Sequence, residues 1–455
     1  MTLNSYRKII LIISVWFVLL TIAPGQAVMD FTSLDKQTYE LYLEKKWKDL
    51  ISLGKNGLDN GFDFFYLRMR IGIAYYDLRN YRRAIPHFRK ALVFNSKDQY
   101  ANEYLYYSYL FSGRNADAIN LSEKFTAKLK KKLEIGKVTG LKGFSVYNTY
   151  SFNANQEKLD DFNIPADTSI DGWQNVTRSY NLIQLNFEHV VSPRLRLSHG
   201  YGYLIKQRYH FFQEEGISGL FPEETYKQFQ IYVSGNLLAG QGFTVGLTLH
   251  YINLRPLAYY EALGTGGWQS GSTSAYTSPS NNFAGYLSLN KNLGLFAIGL
   301  GLGAANLNDN IQFQKDLSLS VFPLGNLNFY LVSKAIHHSD FLNLDNPVNK
   351  WIFEQKIGIK IFNPVWIEFY GSFGEKSDFI DHNGTVIYNE FNPLTGNMGF
   401  NLIIAPEKTG TQLYLNYRNQ TIRSSFNYYS DNTINTINDI DSNTQTITGG
   451  IKWNF

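Results

Sequence analysis

Residues 311–321 read IQFQKDLSLSV. Ile311, Phe313, Leu317, Leu319 and Val321 share one phase of a two-residue period, and Gln312, Gln314, Asp316, Ser318 and Ser320 share the other. Successive side chains of a strand point to opposite faces, so this is a strand with one apolar and one wet face. The pattern recurs upstream in QFQIYVSGNL (228–237), where Phe229, Ile231 and Val233 oppose Gln228, Gln230 and Ser234. It recurs downstream in TQLYLNYR (411–418), with Leu413, Leu415 and Tyr417 against Gln412, Tyr414, Asn416 and Arg418.

Outward from this strand, fourteen such segments run from Leu141 to the end of the chain: 140–152, 178–190, 194–208, 225–238, 242–255, 281–291, 294–306, 310–322, 326–337, 349–361, 365–375, 394–405, 410–425 and 443–455. Segment 394–405 alternates least, which leaves twelve and sixteen as the neighbouring even counts. Short connections fall at Ser192-Pro193, 239–242, 292–294, 323–325, Asn363-Pro364 and 406–410. Between them lie longer polar, aromatic loops at 153–177, 209–224, 256–280, 338–348, 376–393 and 426–442, with a short one at 306–310. Alternating short and long turns on even-numbered strands predict an all-β antiparallel transmembrane barrel, short turns on the periplasmic side. A soluble sandwich or propeller would bury the wet-phase charges in its core, at several kcal/mol each.

Composition agrees. Of 455 residues, 32 are Tyr, 33 Phe and 7 Trp, or 16% aromatic, yet the mean hydropathy is −0.24. The chain has no cysteine, which excludes disulfides, thiolate metal sites and an anchor on an N-terminal cysteine. A net charge of +4 is too mild for a nucleic-acid partner. Arg7 and Lys8, an apolar run from Ile9 to Ile22, and small Gly25 and Ala27 predict a secretory signal peptide over residues 1–27.

Residues 28–138 are helical in pattern and repeat at 34 residues, preceding a barrel domain over 139–455. Leu50-Ile51, Ala84-Ile85 and Ala118-Ile119 are spaced by 34, and Trp47 shares a phase with Tyr81, Tyr42 with Tyr76, and Tyr75 with Tyr109. The middle copy carries Gly72, Tyr75, Ala84, Phe88 and Ala91, with Ala118 equivalent to Ala84 in the third. Small residues let paired helices approach, and aromatics fill the grooves between pairs. The region resembles the tetratricopeptide family over roughly 100 residues, most closely in the middle copy. That resemblance implies a scaffold for protein partners. Lys128, Lys130, Lys131, Lys132 and Lys137 crowd its end, either as a solvated helix terminus or as a collar facing anionic headgroups.

The wet phase supplies the candidate lumen. Its cations are Arg194, Arg196, Lys206, Arg208, Lys334, Lys356, Lys360, Arg418 and Lys452, and its anions Glu188, Asp316, Glu354 and Glu368. They form either a cross-strand network or a field that draws anionic solutes or polymers. In 294–306 the wet phase is Ala297, Gly299, Gly301, Gly303 and Ala305, a wall that relieves curvature or leaves room for a loop, plug or substrate. No enzyme activity, metal or cofactor is expected. His337 and His338 are adjacent on a strand and point apart, GTGG (264–267) lacks a following Lys or helix, and GLGLG is strand-like.

Helical repeats followed by a barrel resemble three groups: exopolysaccharide-export porins, surface-lipoprotein assembly modulators, and the YaiO-type outer-membrane family. The resemblance is architectural and carries no functional residue across. It implies a transport or export conduit whose repeats dock periplasmic proteins, an assembly factor for surface proteins, or an adhesin. The expected setting is the outer membrane of a Gram-negative, Bacteroidetes-like bacterium, among its lipids, with the helical domain in the periplasm. The last strand, GGIKWNF (449–455), places Trp453 and Phe455 in its apolar row. A terminal Phe there resembles the signal read by the barrel-assembly machinery.

Overall fold

The computed structural model describes residues 30–155, 170–214, 217–261, 273–276, 279–308, 310–341, 347–390, 392–406, 409–430 and 433–455. The expected signal peptide and the GTGG motif lie outside them. Among the described residues, seven helices precede a closed fourteen-stranded antiparallel barrel. No helix is long and apolar enough to cross a membrane. The helices are α1 (Phe31–Leu43), α2 (Trp47–Asp59), α3 (Phe65–Asp77), α4 (Tyr81–Phe94), α5 (Gln99–Phe111), α6 (Asn115–Ser122) and α7 (Ala127–Lys132). The chain divides into two units within α5, between Leu105 and Tyr106.

The first unit is built by close helix pairing. Gly72 of α3 lies under the Phe88 ring of α4, where an added Cβ would sit 2.6 Å from a ring carbon. Ala84, Phe88 and Ala91 are fully buried, Tyr75 is 5% exposed, and Phe88 stacks on Tyr104 at 5.3 Å. The 34-residue period is present in the backbone itself. Lys45, Arg79 and Gly113 each take a positive φ, of 55°, 57° and 77°. The next residue in each case donates its N–H five residues back: Lys46 to Leu41, Asn80 to Tyr75 and Arg114 to Tyr109. Tyr42 meets Trp47 at 6.0 Å, and 34 residues later Tyr76 meets Tyr81 at 5.2 Å.

The barrel strands are β1 (Gly140–Asn153), β2 (Gly172–Ser192), β3 (Leu195–Glu214), β4 (Ile217–Gly240), β5 (Phe243–Glu261), β6 (Ser280–Leu293), β7 (Phe296–Leu307), β8 (Asn310–Val321), β9 (Phe329–Phe341), β10 (Val348–Phe362), β11 (Val365–Lys376), β12 (Leu394–Ile404), β13 (Thr411–Ser430) and β14 (Thr433–Asn454). Each pairs with its sequence neighbours, and β1 closes on β14 with Phe144 opposite Trp453. The outward phase is apolar on strand after strand, with Ile183, Leu249, Leu302, Leu317, Phe369 and Ile447 among its exposed side chains. A continuous apolar band of this extent is not left in water by a soluble monomer, and it is the outer surface of a transmembrane barrel.

Three connections differ from expectation. In 256–280, read as a loop, Ala258–Glu261 continues β5 and pairs with Thr273–Tyr276. Residues 209–224 and 426–442, read as loops, are largely the distal halves of strand pairs. Glu214 pairs with Ile217, and Ser430 with Thr433. These halves lie beyond the roughly 9–11 residues a bilayer needs, so no lipid demands an apolar phase there and the one-sided signal is lost. The connection 376–393 is also more than a loop, since Phe379–Asp381 pairs with Val386–Tyr388.

Candidate functional site

The inward phase places most of the predicted lumen charges in pairs. Lys452 meets Glu188 at 2.6 Å, Lys356 meets Glu368 at 3.2 Å and Lys334 meets Asp316 at 3.5 Å. Arg208 pairs with Glu224 and Tyr226. Buried Lys376 pairs with Glu354. Glu368 also accepts from Tyr330 Oη at 2.5 Å and Asn401 Nδ2 at 2.6 Å. Lys360 lies over the Trp366 ring at 4.3 Å, and Arg196 sits half-buried on the same phase as Lys206 and Arg208. Arg194 is a correction. It occupies the turn between β2 and β3 and donates from Nε to Asn120 Oδ1 of α6 at 3.3 Å, because Pro193-Arg194 forms the turn itself rather than the start of a strand.

The rim of short turns is tied to α6 elsewhere too. Asp117 pairs with Arg114 at 2.9 Å and accepts the Gly242 N–H of the β4–β5 turn at 3.2 Å. Ala118 is fully buried in this helix. At the same end, Trp453 stacks on Phe144 at 5.6 Å, and Phe144 meets Phe187 at 5.0 Å, an interfacial aromatic row. Phe455 is 66% exposed and donates its N–H to Lys142 O at 3.1 Å.

Inward tyrosines lie on inward glycines directly across the ladder. Tyr147 covers Gly450, Tyr232 covers Gly200, Tyr330 covers Gly358 and Tyr370 covers Gly399. Glycine leaves a bare patch of strand, and a flat ring on it restores packing while lying along the wall. The phenols then reach polar partners: Tyr232 to Asn186 Oδ1 at 2.9 Å and Tyr414 to Asn401 Oδ1 at 2.7 Å. These pairs escape a one-strand reading because they require the register; a Tyr and a Gly on the wet phases of successive segments is the signal that marks them.

The connection after β11 folds back into the lumen as a hairpin. Phe379–Asp381 pairs with Val386–Tyr388 around a short 3₁₀ turn, His382–Gly384. Ile380 and Ile387 share a buried cluster with Ile252, Tyr286 and Leu307, and Phe379 is enclosed with Ile336 and Ile352. Gln314 of β8 clasps the Ile380 backbone twice, at 2.9 and 3.3 Å. His250 Nδ1 of β5 donates to Gly384 O at 3.0 Å, and Asn308 Nδ2 to Asp378 Oδ1 at 2.6 Å. On the other side Arg418 of β13 donates to Tyr388 Oη at 2.6 Å, and Lys206 of β3 pairs with Glu390. In a ring of fourteen, β6 and β13 are seven strands apart, so the hairpin crosses the lumen. Gly303, on the small-residue wall, is where it rests: an added Cβ would lie 2.8 Å from Ile380 Cδ1. His338 and Asp340 face this interior, while His337 packs outside on Trp351 at 5.0 Å.

Fold and lumen together define a plugged transmembrane barrel. No protein-family model matches the chain, and no curated protein matches it. Among solved structures it is similar to the toluene transporter TodX of Pseudomonas putida, at 8% identity over 71% of this chain and 90% of that one, TM-score 0.41. It is similar also to a FadL homologue of Pseudomonas aeruginosa, at 8% identity over 76% and 94% of the chains, TM-score 0.40. The anion-selective porin of Comamonas acidovorans aligns at 8% identity over 70% and 100%, TM-score 0.31.

Proposed function

We propose that this chain is an outer-membrane transport barrel held shut by its own hairpin, residues 377–390. The observation that carries the reading is a hairpin spanning from β6 to β13 inside a barrel whose outer face is apolar. Its attachments are a few side-chain hydrogen bonds, including the double clasp of Gln314 on Ile380, an ion pair and two small apolar clusters, none of them part of the wall ladder. It can therefore leave without unravelling the barrel. Departure would strip Lys206 of Glu390 and Arg418 of Tyr388, uncovering positive charge on one side of the lumen. That favours an anionic solute or polymer as the permeant, a polysaccharide being one such polymer. The helical repeats, tetratricopeptide-like in their 34-residue period, serve in this reading as a periplasmic dock for protein partners.

Planar-bilayer conductance tests it. The intact chain should conduct rarely, and a variant with residues 379–388 replaced by a Gly-Ser linker should conduct steadily with anion preference. A folded deletion variant that conducts no more than the intact chain would sink the conduit and favour an assembly or structural role.

A further inference from the structure

Between Glu123 and Lys137 the chain carries six lysines against two glutamates. The lysines of the lumen are mostly paired, as described above. Lys124, Lys128, Lys130, Lys131 and Lys137, by contrast, make no ion pair among the described residues. The local fold explains their display. Thr126 caps α7 by accepting the Leu129 N–H at 3.3 Å. Phe125, Leu129 and Leu133 turn inward to pack with Tyr106, Tyr107, Leu121 and Ile135. The apolar side of the segment is thus already covered by protein, and Lys128, Lys131 and Lys137 stand exposed.

The position is fixed from both ends. Upstream, α6 is bound to the short-turn rim through Asp117 to Gly242 and Asn120 to Arg194, and α7 begins five residues after it. Downstream, Lys137 lies three residues before β1, whose Phe144 stacks with Trp453 in the interfacial row. Tryptophan at such a row marks the headgroup level. The segment thus leaves the short-turn rim at one end and enters a strand of the same rim at the other, which keeps its lysines close to headgroup level.

We infer that residues 124–137 form a binding collar for anionic phospholipid headgroups on the short-turn side of the barrel. The charge is positive and clustered, and the apolar face is already occupied, so a headgroup phosphate at the adjoining membrane surface fits better than an apolar partner. Polybasic segments beside an anionic membrane gain about fivefold in affinity per lysine, a gain that salt screens. The collar rests on the reading that the barrel spans a bilayer.

The test uses the full chain in nanodiscs of phosphatidylcholine with a minor fraction of phosphatidylglycerol, and native mass spectrometry of the lipid that stays bound. Wild type should retain phosphatidylglycerol above its bulk share, and high salt should abolish the excess. Lys128→Gln/Lys130→Gln/Lys131→Gln/Lys137→Gln should retain the bulk ratio. The same lysines changed to Arg should keep the excess, as should Lys36→Gln/Lys48→Gln/Lys55→Gln/Lys97→Gln in the repeats. An inserted wild type with no excess, or a glutamine variant that keeps it, overturns the collar. A wild type that fails to insert at all overturns the transmembrane reading instead. Should the glutamine variant not fold, the salt titration and the arginine variant decide.

Discussion

Phe379→Ala should loosen the hairpin without touching the wall. Phe379, Ile336 and Ile352 are each fully buried in one cluster, and Lys376 Nζ lies 4.9 Å from the ring centroid. Removing a packed Phe costs about 3–5 kcal/mol in transfer and cavity terms. Here the partners belong to β9 and β10, so the loss falls on docking of the hairpin rather than on the strand ladder. At a factor of ten per 1.4 kcal/mol, the undocked fraction should rise roughly one-hundred- to several-thousand-fold. The chain has no cysteine, so a single Thr248→Cys, buried on the inner wall against Gly384 of the hairpin, reports opening cleanly. Its labelling by a membrane-impermeant thiol reagent should accelerate by that factor in Phe379→Ala. Phe373→Ala, at a position 72% exposed on the outer face, should leave the rate unchanged. A folded, heat-modifiable Phe379→Ala barrel labelled at the wild-type rate would refute a hairpin held by this cluster.

Two further outcomes are expected. Burial, with the Arg68 charge beside it, pushes His87 down to about 4, against 6.5 in an unfolded chain. The fold thus holds His87 neutral, and its stabilisation is complete above pH 6.5 and is lost as pH falls from 6.5 towards 4. The full loss is about 3 kcal/mol. Thermal melts followed at 222 nm should show the helical transition dropping over that interval, and His87→Asn should flatten the dependence; equal slopes in both proteins would count against it. On β14, Gly450→Val must displace the Tyr147 ring, whereas a Cβ on neighbouring Gly449 meets nothing within 4 Å. The first should destabilise the barrel by about 1–3 kcal/mol and the second should be near neutral in a heat-modifiability series; similar shifts for both would mean the register is wrong.

How much of this was legible in the sequence follows from where water is. Lipid replaces it outside the barrel, so the strands crossing the bilayer keep a largely apolar phase, and Ile311 to Val321, interrupted on that phase by Lys315 alone, reads correctly without any partner. Segment 394–405, with the faintest alternation, is nonetheless a strand, Leu394–Ile404, because its wet-phase Asn401 is held by Glu368 and Tyr414 on both neighbours. Past the bilayer the rule stops, which is why the distal parts of β3, β4, β13 and β14 look like loops. The hairpin was hidden for a different reason. SDFIDHNGTVIYNE (377–390) is polar with short apolar runs, and Phe379, Ile380 and Ile387 find their cover on residues far away in the chain, such as Ile252 and Ile336. The small-residue wall from Ala297 to Ala305 hinted at it, as a place with room for a loop or plug, and Gly303 is where the hairpin rests. Most of the inward charges were identifiable by phase, Arg194 excepted, but their pairing was not, since it needs the register between strands, and Glu224 and Glu390 besides lie in stretches that read as loops.

Residues 311–319 carry the alternation on which a lipid-facing, plugged barrel depends. A single-cysteine scan of this strand, each position spin-labelled in the full chain in liposomes, measures exposure to a lipid-soluble relaxant. The account predicts high accessibility at positions 311, 313, 317 and 319, low accessibility at 312, 314, 316 and 318, and further protection at 314, where Gln314 holds the hairpin. A scan without the two-residue period, or with the relaxant reaching the even positions, would contradict a plugged barrel in a membrane.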